Sequence, residues 1–422
     1  MPMSQAFKDR LFPTLDRIAD HFGTPFHIYD ETGIRDTGAA LKQTFAALDG
    51  FREYYAVKAL PNPNILEIMQ DMGFGFDCSS IPELMLSRRI GARGEDIMFT
   101  SNNTSRTEFE AAEDDSGCIL NLDDISLIPK VPHFPELICF RYNPGPRRTG
   151  NAIIGVPEEA KYGVAHDQIL DAYRQAKEKG ATRFGLHTML ASNELNYTYM
   201  VQTADMLLEL AEEIGKKLDI TFEFINIGGG FGIPYRPDQD PMNIDALGRE
   251  ISEHIQKFRK RTGYAPRLYM ESGRFVTGPH GVLVTRAINH KDIYRKYIGV
   301  DACMSALMRP GMYGAYHHIE IPGKENPADT EVVDVVGSLC ENNDKFAVQR
   351  ELPPIDEGDL VVIQDTGAHG HSMGFTYNGK LRPQELLLRA DGTVERIRRA
   401  ETPADYFATL DFAPEAMRTE IG

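Results

Sequence analysis

Between Glu53 and Met270 short apolar runs alternate with helix-like stretches, and that alternation leaves the chain few architectures to adopt. The runs are Glu53 to Lys58, Gly75 to Cys78, Ile97 to Ser101, Cys118 to Leu122, Ile138 to Tyr142, Arg183 to Met189, Phe222 to Ile227 and Arg267 to Met270. Stretches such as Asn64 to Met72, Ile81 to Ile90, Tyr197 to Lys217 and Ile244 to Arg261 read as the helices between them. Eight strands separated by helices over about 230 residues predict a (β/α)8 barrel. After Gly273 the rhythm changes. Phe275 to Ile288, Lys296 to Asp301, Thr330 to Leu339, Leu360 to Asp365, Glu385 to Leu388 and Val394 to Arg398 read as strands with little helix between them, which predicts an attached, mostly antiparallel β-domain. Near the N-terminus, Phe7 to Phe22 reads as one amphipathic helix, followed by a short strand up to Asp30.

Composition narrows the function. With 42% hydrophobic and 25% charged residues in 422, the chain is an ordinary globular protein with a large core. A formal net charge of -17 argues against nucleic-acid and anionic-membrane partners, which need a basic face. The five cysteines are scattered, with no CxxC pair, which suits a reducing compartment and gives no zinc signature. Met1 to Asp16 is too charged for a signal peptide, and no apolar run is long enough to span a bilayer, so a cytoplasmic enzyme is expected.

In such barrels the site is built at the C-terminal ends of the strands. Those ends supply Lys58, Asp77, Asp123, Arg141, His187, Ser192, the run Gly228-Gly229-Gly230-Phe231-Gly232, and Glu271-Ser272-Gly273-Arg274. Lys58, ending an aromatic and β-branched run, is either a snorkelling strand-end charge or a desolvated amine able to form a Schiff base. Glycines late in a barrel let backbone N–H groups approach a phosphate. A carboxylate such as Glu271, set against a pyridine nitrogen, keeps that nitrogen protonated, as an electron-sink cofactor requires. The three together predict pyridoxal 5'-phosphate. The pairs His317-His318 and His369-Gly370-His371 lack the spacing of a metal site, and none is expected.

The stretches Tyr55-Ala56-Val57-Lys58-Ala59, Asp77-Cys78-Ser79-Ser80, Gly228 to Tyr235 and Glu271-Ser272-Gly273-Arg274 resemble the motifs of the pyridoxal-phosphate decarboxylases of the alanine-racemase fold. Asp301-Ala302-Cys303-Met304, Arg309-Pro310-Gly311-Met312-Tyr313 and Cys340-Glu341-Asn342-Asn343-Asp344 make the chain most similar to diaminopimelate decarboxylases, over nearly its whole length. The resemblance implies a barrel over residues 34–283 and a β-domain built from 1–33 and 284–422, in a homodimer with shared active sites. It implies that Lys58 holds the cofactor, that Gly228, Gly229, Gly230 and Gly232 bind its phosphate, and that Glu271 faces its ring nitrogen. Asp77, His187, Ser192, Gly273, Arg274 and His369 are expected around the same group. Arg309 and Tyr313, with Arg274, are expected to hold substrate carboxylate, and Cys340 and Glu341 to come from the partner subunit, Cys340 as proton donor. Asp344 is expected to pair with Lys161 across the dimer.

Five positions depart from the family pattern: Met189 stands where a histidine stacks on the ring, His369 where a tyrosine reaches the phosphate, Ser272 for a proline, and Asn342-Asn343 for Ser-Gly. The expected reaction is decarboxylation of meso-2,6-diaminopimelate at its D-centre to L-lysine and CO2. The alternatives are decarboxylation of a D-amino acid or a carboxylated polyamine, and a cofactor-binding regulatory protein without activity.

Overall fold

The computed structural model describes residues 3–150, 155–324 and 328–412. In chain order the strands are β1 Phe26–Asp30, β2 Arg52–Ala56, β3 Gly75–Cys78, β4 Gly94–Ser101, β5 Cys118–Leu122, β6 Leu137–Asn143, β7 Val164–Ala165, β8 Arg183–His187 and β9 Phe222–Asn226. They continue with β10 Arg267–Met270, β11 Gly281–Asp292, β12 Lys296–Val300, β13 Ile319–Glu320, β14 Glu331–Val336, β15 Lys345–Leu352, β16 Leu360–Ile363, β17 Gln384–Leu388 and β18 Val394–Arg398. Eight parallel strands in the order β5-β4-β3-β2-β10-β9-β8-β6 close through a β5–β6 pairing into the expected barrel.

Side chains alternate across each strand, so every second residue points into the barrel. A lower apolar plug holds Tyr54, Met98, Ile119, Cys139, Phe224 and Tyr269, with the last two rings stacked at 4.4 Å. Two residues further along each strand, toward the mouth, stand Ala56, Thr100, Asn121, Arg141, Asn226 and Glu271; Asp77 and His187 complete the layer. The barrel is therefore dry below and polar above.

The second sheet runs β15-β14-β12-β11-β1-β17-β18, with β16 on β11 and β13 on β16. It is mostly antiparallel; β1–β17 and β12–β14 are parallel. The N-terminal strand thus lies in mid-sheet. Both expected domain boundaries fall inside elements, 33/34 in the helix Glu31–Thr44 and 283/284 in β11.

Four sequence expectations need correction. The helix expected over 7–22 is two, Gln5–Leu11 and Leu15–Phe22, joined by a 3-10 turn at Phe12–Thr14 because Pro13 removes an N–H and crowds the preceding turn. The strand expected from Phe275 begins only at Gly281, after a short helix Gly273–Thr277 and a 3-10 turn at Gly278–His280. The sixth barrel strand stops at His187, so Met189 lies in the following loop and does not share the strand face of His187. Finally, β15 was not expected, because it is an edge strand with charged residues on its open face.

Candidate active site

Lys58 is not the last strand residue but the centre of the 3-10 turn Val57–Ala59. Val57 and Ala59 are buried, which turns the Lys58 side chain outward at the barrel mouth, where it is exposed. The expected desolvated amine is therefore an accessible one, delivered by a rigid, apolar turn. Asn62 caps the next helix through a bond from the Asn64 N–H (3.1 Å), and Pro63 opens it, fixing where the turn ends.

Inside the mouth, Asn121 Nδ2 donates to Thr100 Oγ1 (3.3 Å), which donates to Asp77 Oδ1 (2.8 Å). On the other side Asn226 Nδ2 donates to Glu271 Oε1 (2.7 Å), and His187 Nε2 lies 3.2 Å from the same oxygen. His187 is fully buried and neither ring nitrogen has a hydrogen-bond partner of good geometry. Its ring lies against Glu271, where it supports the carboxylate.

The two acids titrate apart. Burial raises the Asp77 carboxyl well above its usual range and the Glu271 charge adds to this, against Lys58 and Thr100. Burial would raise Glu271 as well, but the charges of His187 and Lys58 and the bond from Asn226 outweigh it, and Glu271 stays below its ordinary value. An ionised carboxylate and a neutral acid thus share one mouth.

The glycine run follows β9. Its packing leaves no room for side chains: a Cβ on Gly229 would stand 2.2 Å from the Glu271 carbonyl oxygen, and one on Gly230 2.2 Å from that of Ala191. Gly228 and Gly230 take φ +71° and +90°, which glycine alone adopts freely. Not every N–H of the run is available. Gly228 donates to Asn226 Oδ1 (2.8 Å) and Gly232 to the Glu194 carbonyl (2.8 Å), while Gly229 meets only the Met189 sulfur (3.1 Å), a weak acceptor. The phosphate cup expected over four glycines narrows to Gly229 and the more exposed Gly230. Gly273 likewise serves packing, since a Cβ there would lie 2.8 Å from that of Ala59.

Beyond the run, Tyr235 gathers two cations. Its hydroxyl accepts from Arg274 Nη1 (2.6 Å) and from Arg309 Nη1 (2.7 Å). Arg274 Nη2 also reaches Ser192 Oγ at 3.5 Å. His317 Nε2 lies 3.3 Å from Arg309 Nη1, and its other nitrogen is bonded to the Gln364 carbonyl (2.7 Å). Burial and the neighbouring Arg309 push His317 down to about 3, so it adds no charge. Among the described residues no carboxylate lies within ion-pairing distance of Arg274 or Arg309. Two guanidinium groups on one neutral oxygen form a site for an anion. His369 faces the same cations; burial, then Arg274, Lys58 and Arg309, hold it well below its usual value, hence neutral.

These features fit pyridoxal phosphate: an accessible amine, an ionised carboxylate for a ring nitrogen, a loop open to a close-approaching anion, and unpaired guanidinium groups. Sequence reasoning missed Thr100, Asn121, Asn226 and Tyr235. Counting two residues forward from each plug residue finds the first three; Tyr235 ends the glycine-run motif, but nothing in that motif gives it a role.

The remaining candidates lie outside this cluster. Tyr313 is 65% exposed at the end of the helix Arg309–Tyr313, and Cys340 and Glu341 are exposed between β14 and β15. Asp344 is buried and accepts from the N–H groups of Met304 (2.8 Å) and Leu339 (2.7 Å) of its own chain. Within the chain these backbone amides hold the carboxylate in place. His371 is bonded to the Pro383 carbonyl (3.0 Å), so like His317 it is already engaged.

Glu53 lies under the strand-eight turn, where its Oε1 accepts from the Ser272 N–H. A proline at 272 could not donate this bond. Burial pushes the Glu53 carboxyl up to about 8, against the bonds from Ser272. The folded chain keeps a proton that the unfolded chain releases near 4.5, so stability falls as pH rises from there to about 8, by up to about 1.4 kcal/mol per pH unit, and levels off beyond. Glu53→Gln is expected to lose this component. Melting curves taken across the window check it: the gain of the variant over wild type should grow with pH, and parallel curves would contradict the assignment.

A parallel barrel with an attached sheet, an amine and an ionised carboxylate at one mouth, and an anion site beside them define the class of pyridoxal-phosphate enzymes acting on amino acids. The comparisons with known proteins carry this further. Residues 34–278 match the model of the pyridoxal-dependent decarboxylase, pyridoxal binding domain, and the chain belongs to that family. It is 47% identical over 415 residues to Protein TabA of Pseudomonas amygdali pv. tabaci, covering 98% of this chain and 97% of that protein. It is 35% identical to the diaminopimelate decarboxylase of Methanothermobacter thermautotrophicus, covering 92% of each. The structure of diaminopimelate decarboxylase from M. jannaschii in co-complex with L-lysine superposes with a TM-score of 0.86, at 28% identity over 94% of each chain. The protein is thus a pyridoxal-phosphate-dependent carboxy-lyase acting on an amino acid. Among the described residues no helix is long and apolar enough to cross a membrane.

Proposed function

We propose that the protein decarboxylates meso-2,6-diaminopimelate at its D-centre, giving L-lysine and CO2. The observation that carries this reading is the pair of unneutralised guanidinium groups, Arg274 and Arg309, which offers cations to a phosphate and to a second substrate carboxylate. Likeness to diaminopimelate decarboxylases along nearly the whole chain supports it. Pyridoxal phosphate, when bound, supplies the sink for the electron pair left as CO2 departs. Lys58 presents the amine that tethers it and exchanges protons at Nζ as the substrate amine enters. Glu271, ionised and braced by Asn226 and His187, holds a proton on the ring nitrogen. Gly229, Gly230, Arg274, Ser192 and His369 would hold the phosphate, with Asp77 a neutral neighbour. Arg309 pairs with the distal carboxylate and Tyr313 flanks it, while Glu341 takes the distal ammonium, since neither charge can be buried unpaired. Cys340 returns a proton to the α-carbon.

The exposure of Tyr313, Cys340 and Glu341 suits a homodimer in which the Cys340 loop completes the partner's site. Lys58→Ala and Cys340→Ala homodimers should each be nearly inactive. Mixed and allowed to exchange subunits, they should regain about a quarter of wild-type activity, because half the dimers are hybrids with one intact site. No recovery after confirmed exchange would place Cys340 in its own chain's site.

Identity to TabA above that to the named decarboxylases, with Met189 and His369 at the mouth, favours a second reading in which another amino acid, a D-amino acid or a carboxylated polyamine, is the substrate. Turnover of meso-diaminopimelate followed for CO2 and L-lysine, beside a panel of those compounds, decides between them. CO2 from another compound and no lysine from diaminopimelate would sink the first reading.

A further inference from the structure

The turn that carries Lys58 is gripped from the other domain. The Ala59 carbonyl accepts from the His369 N–H (2.9 Å) and from Ser372 Oγ (3.2 Å). The Pro61 carbonyl accepts from Arg398 Nη2 (3.0 Å), and Asn62 Nδ2 donates to Glu385 Oε2 (3.2 Å) and to the Ile397 carbonyl (3.3 Å). Glu385 is the hub. Fully buried, it also accepts from Tyr29 Oη at 2.6 Å and from Arg398 Nε, and His371 Nδ1 lies 3.9 Å from it.

Alternation along β17 explains why this carboxylate faces the barrel. Leu386 and Leu388 pack into the core behind the sheet with Phe26, Ile28 and Val282, while Leu387 joins the barrel core, and Glu385 shares the face of Leu387. Burying a carboxylate between two apolar cores costs several kcal/mol unless its partners hold it in place. Here they do: burial would raise it, but His371, Arg398 and Tyr29 keep it ionised, down at about 2. A leucine would pack as well; it could not grip Asn62 or orient Arg398 onto Pro61.

We propose that Glu385 is a positioning residue for Lys58, fixing from the β-domain the turn that presents the amine. The proposal rests on the reading of Lys58 as the cofactor-bearing lysine. It touches neither substrate nor cofactor and acts through Asn62, Arg398 and the backbone at Pro61.

The test compares the full-length wild type with Glu385→Gln and Arg398→Lys. In the apo-protein, hydrogen exchange in the peptide 57–64 should quicken about tenfold in both variants while the barrel strands are unchanged. With pyridoxal phosphate, binding should be weakened about tenfold, and the midpoint of the pH titration of its absorbance should move, with kcat reduced more than KM is raised. Borohydride should still fix the label on Lys58. Lower melting temperature with exchange and spectral titration unchanged would make Glu385 merely structural and overturn the proposal. A wild-type label on another lysine would overturn the reading of Lys58 and the positioning role with it. If Glu385→Gln does not fold, Arg398→Lys, half-buried and charge-conserving, carries the same readouts.

Discussion

Replacing Lys58 by alanine is expected to reduce kcat by about 10^4-fold or more and to abolish borohydride-stable labelling of the peptide that carries it. The size follows from the architecture. Val57 and Ala59 are buried on either side, so the turn delivers one amine to the mouth and offers no substitute beside it. Lys58 also acts on its neighbours: its charge helps hold Glu271 ionised and opposes the rise of Asp77. Losing it removes the tether and shifts both acids toward their neutral forms. Cofactor should still be retained weakly, because Gly229, Gly230 and Arg274 remain. Absorbance spectra, peptide mapping after reduction and single-turnover kinetics check this together. A label that persists on another lysine at wild-type rate would refute the assignment.

Arg309→Met is expected to lower kcat/KM for a substrate with a distal carboxylate by about 10^2- to 10^3-fold, while leaving the fold equally or more stable. Arg309 is 7% exposed, and burial, with Arg274 close by, lowers the affinity of its guanidinium for a proton. Its partners are a phenol hydroxyl and a neutral histidine. A buried cation without a carboxylate costs stability, and methionine, of similar length, removes that cost. Gain of stability with loss of turnover is the signature of a residue kept for a ligand. Arg309→Lys should fall between, since one ammonium cannot serve Tyr235 and both oxygens of a carboxylate. Kinetics with substrates that have and lack the distal carboxylate, beside thermal melts, check the prediction. Equal loss on both kinds of substrate would assign Arg309 to the phosphate instead.

The barrel was legible because its determinants are local. Each buried parallel strand is a short apolar run bounded by breakers, and strand ends mark the functional rim, so Lys58, Asp77, Glu271 and the glycine run could be found by counting. What counting could not supply is orientation. His187 and Met189 are two residues apart, yet the strand stops at the first, so one backs Glu271 and the other meets Gly229. Gly228 and Gly232 sit in the expected loop, but Asn226 and Glu194 already occupy their N–H groups.

Sequence alone determined the alternation of strands and helices, the polar residues at strand ends and the likeness that names the cofactor, because strand period and chain order are one-dimensional properties. Tertiary structure alone decided which of those groups are free. Tyr235, Arg274 and Arg309 meet from three separate parts of the chain, Glu385 reaches Asn62 across 323 residues, and backbone amides hold Asp344. Hydrogen-bond partners and burial depend on packing between distant segments, and through them so does the charge each group carries.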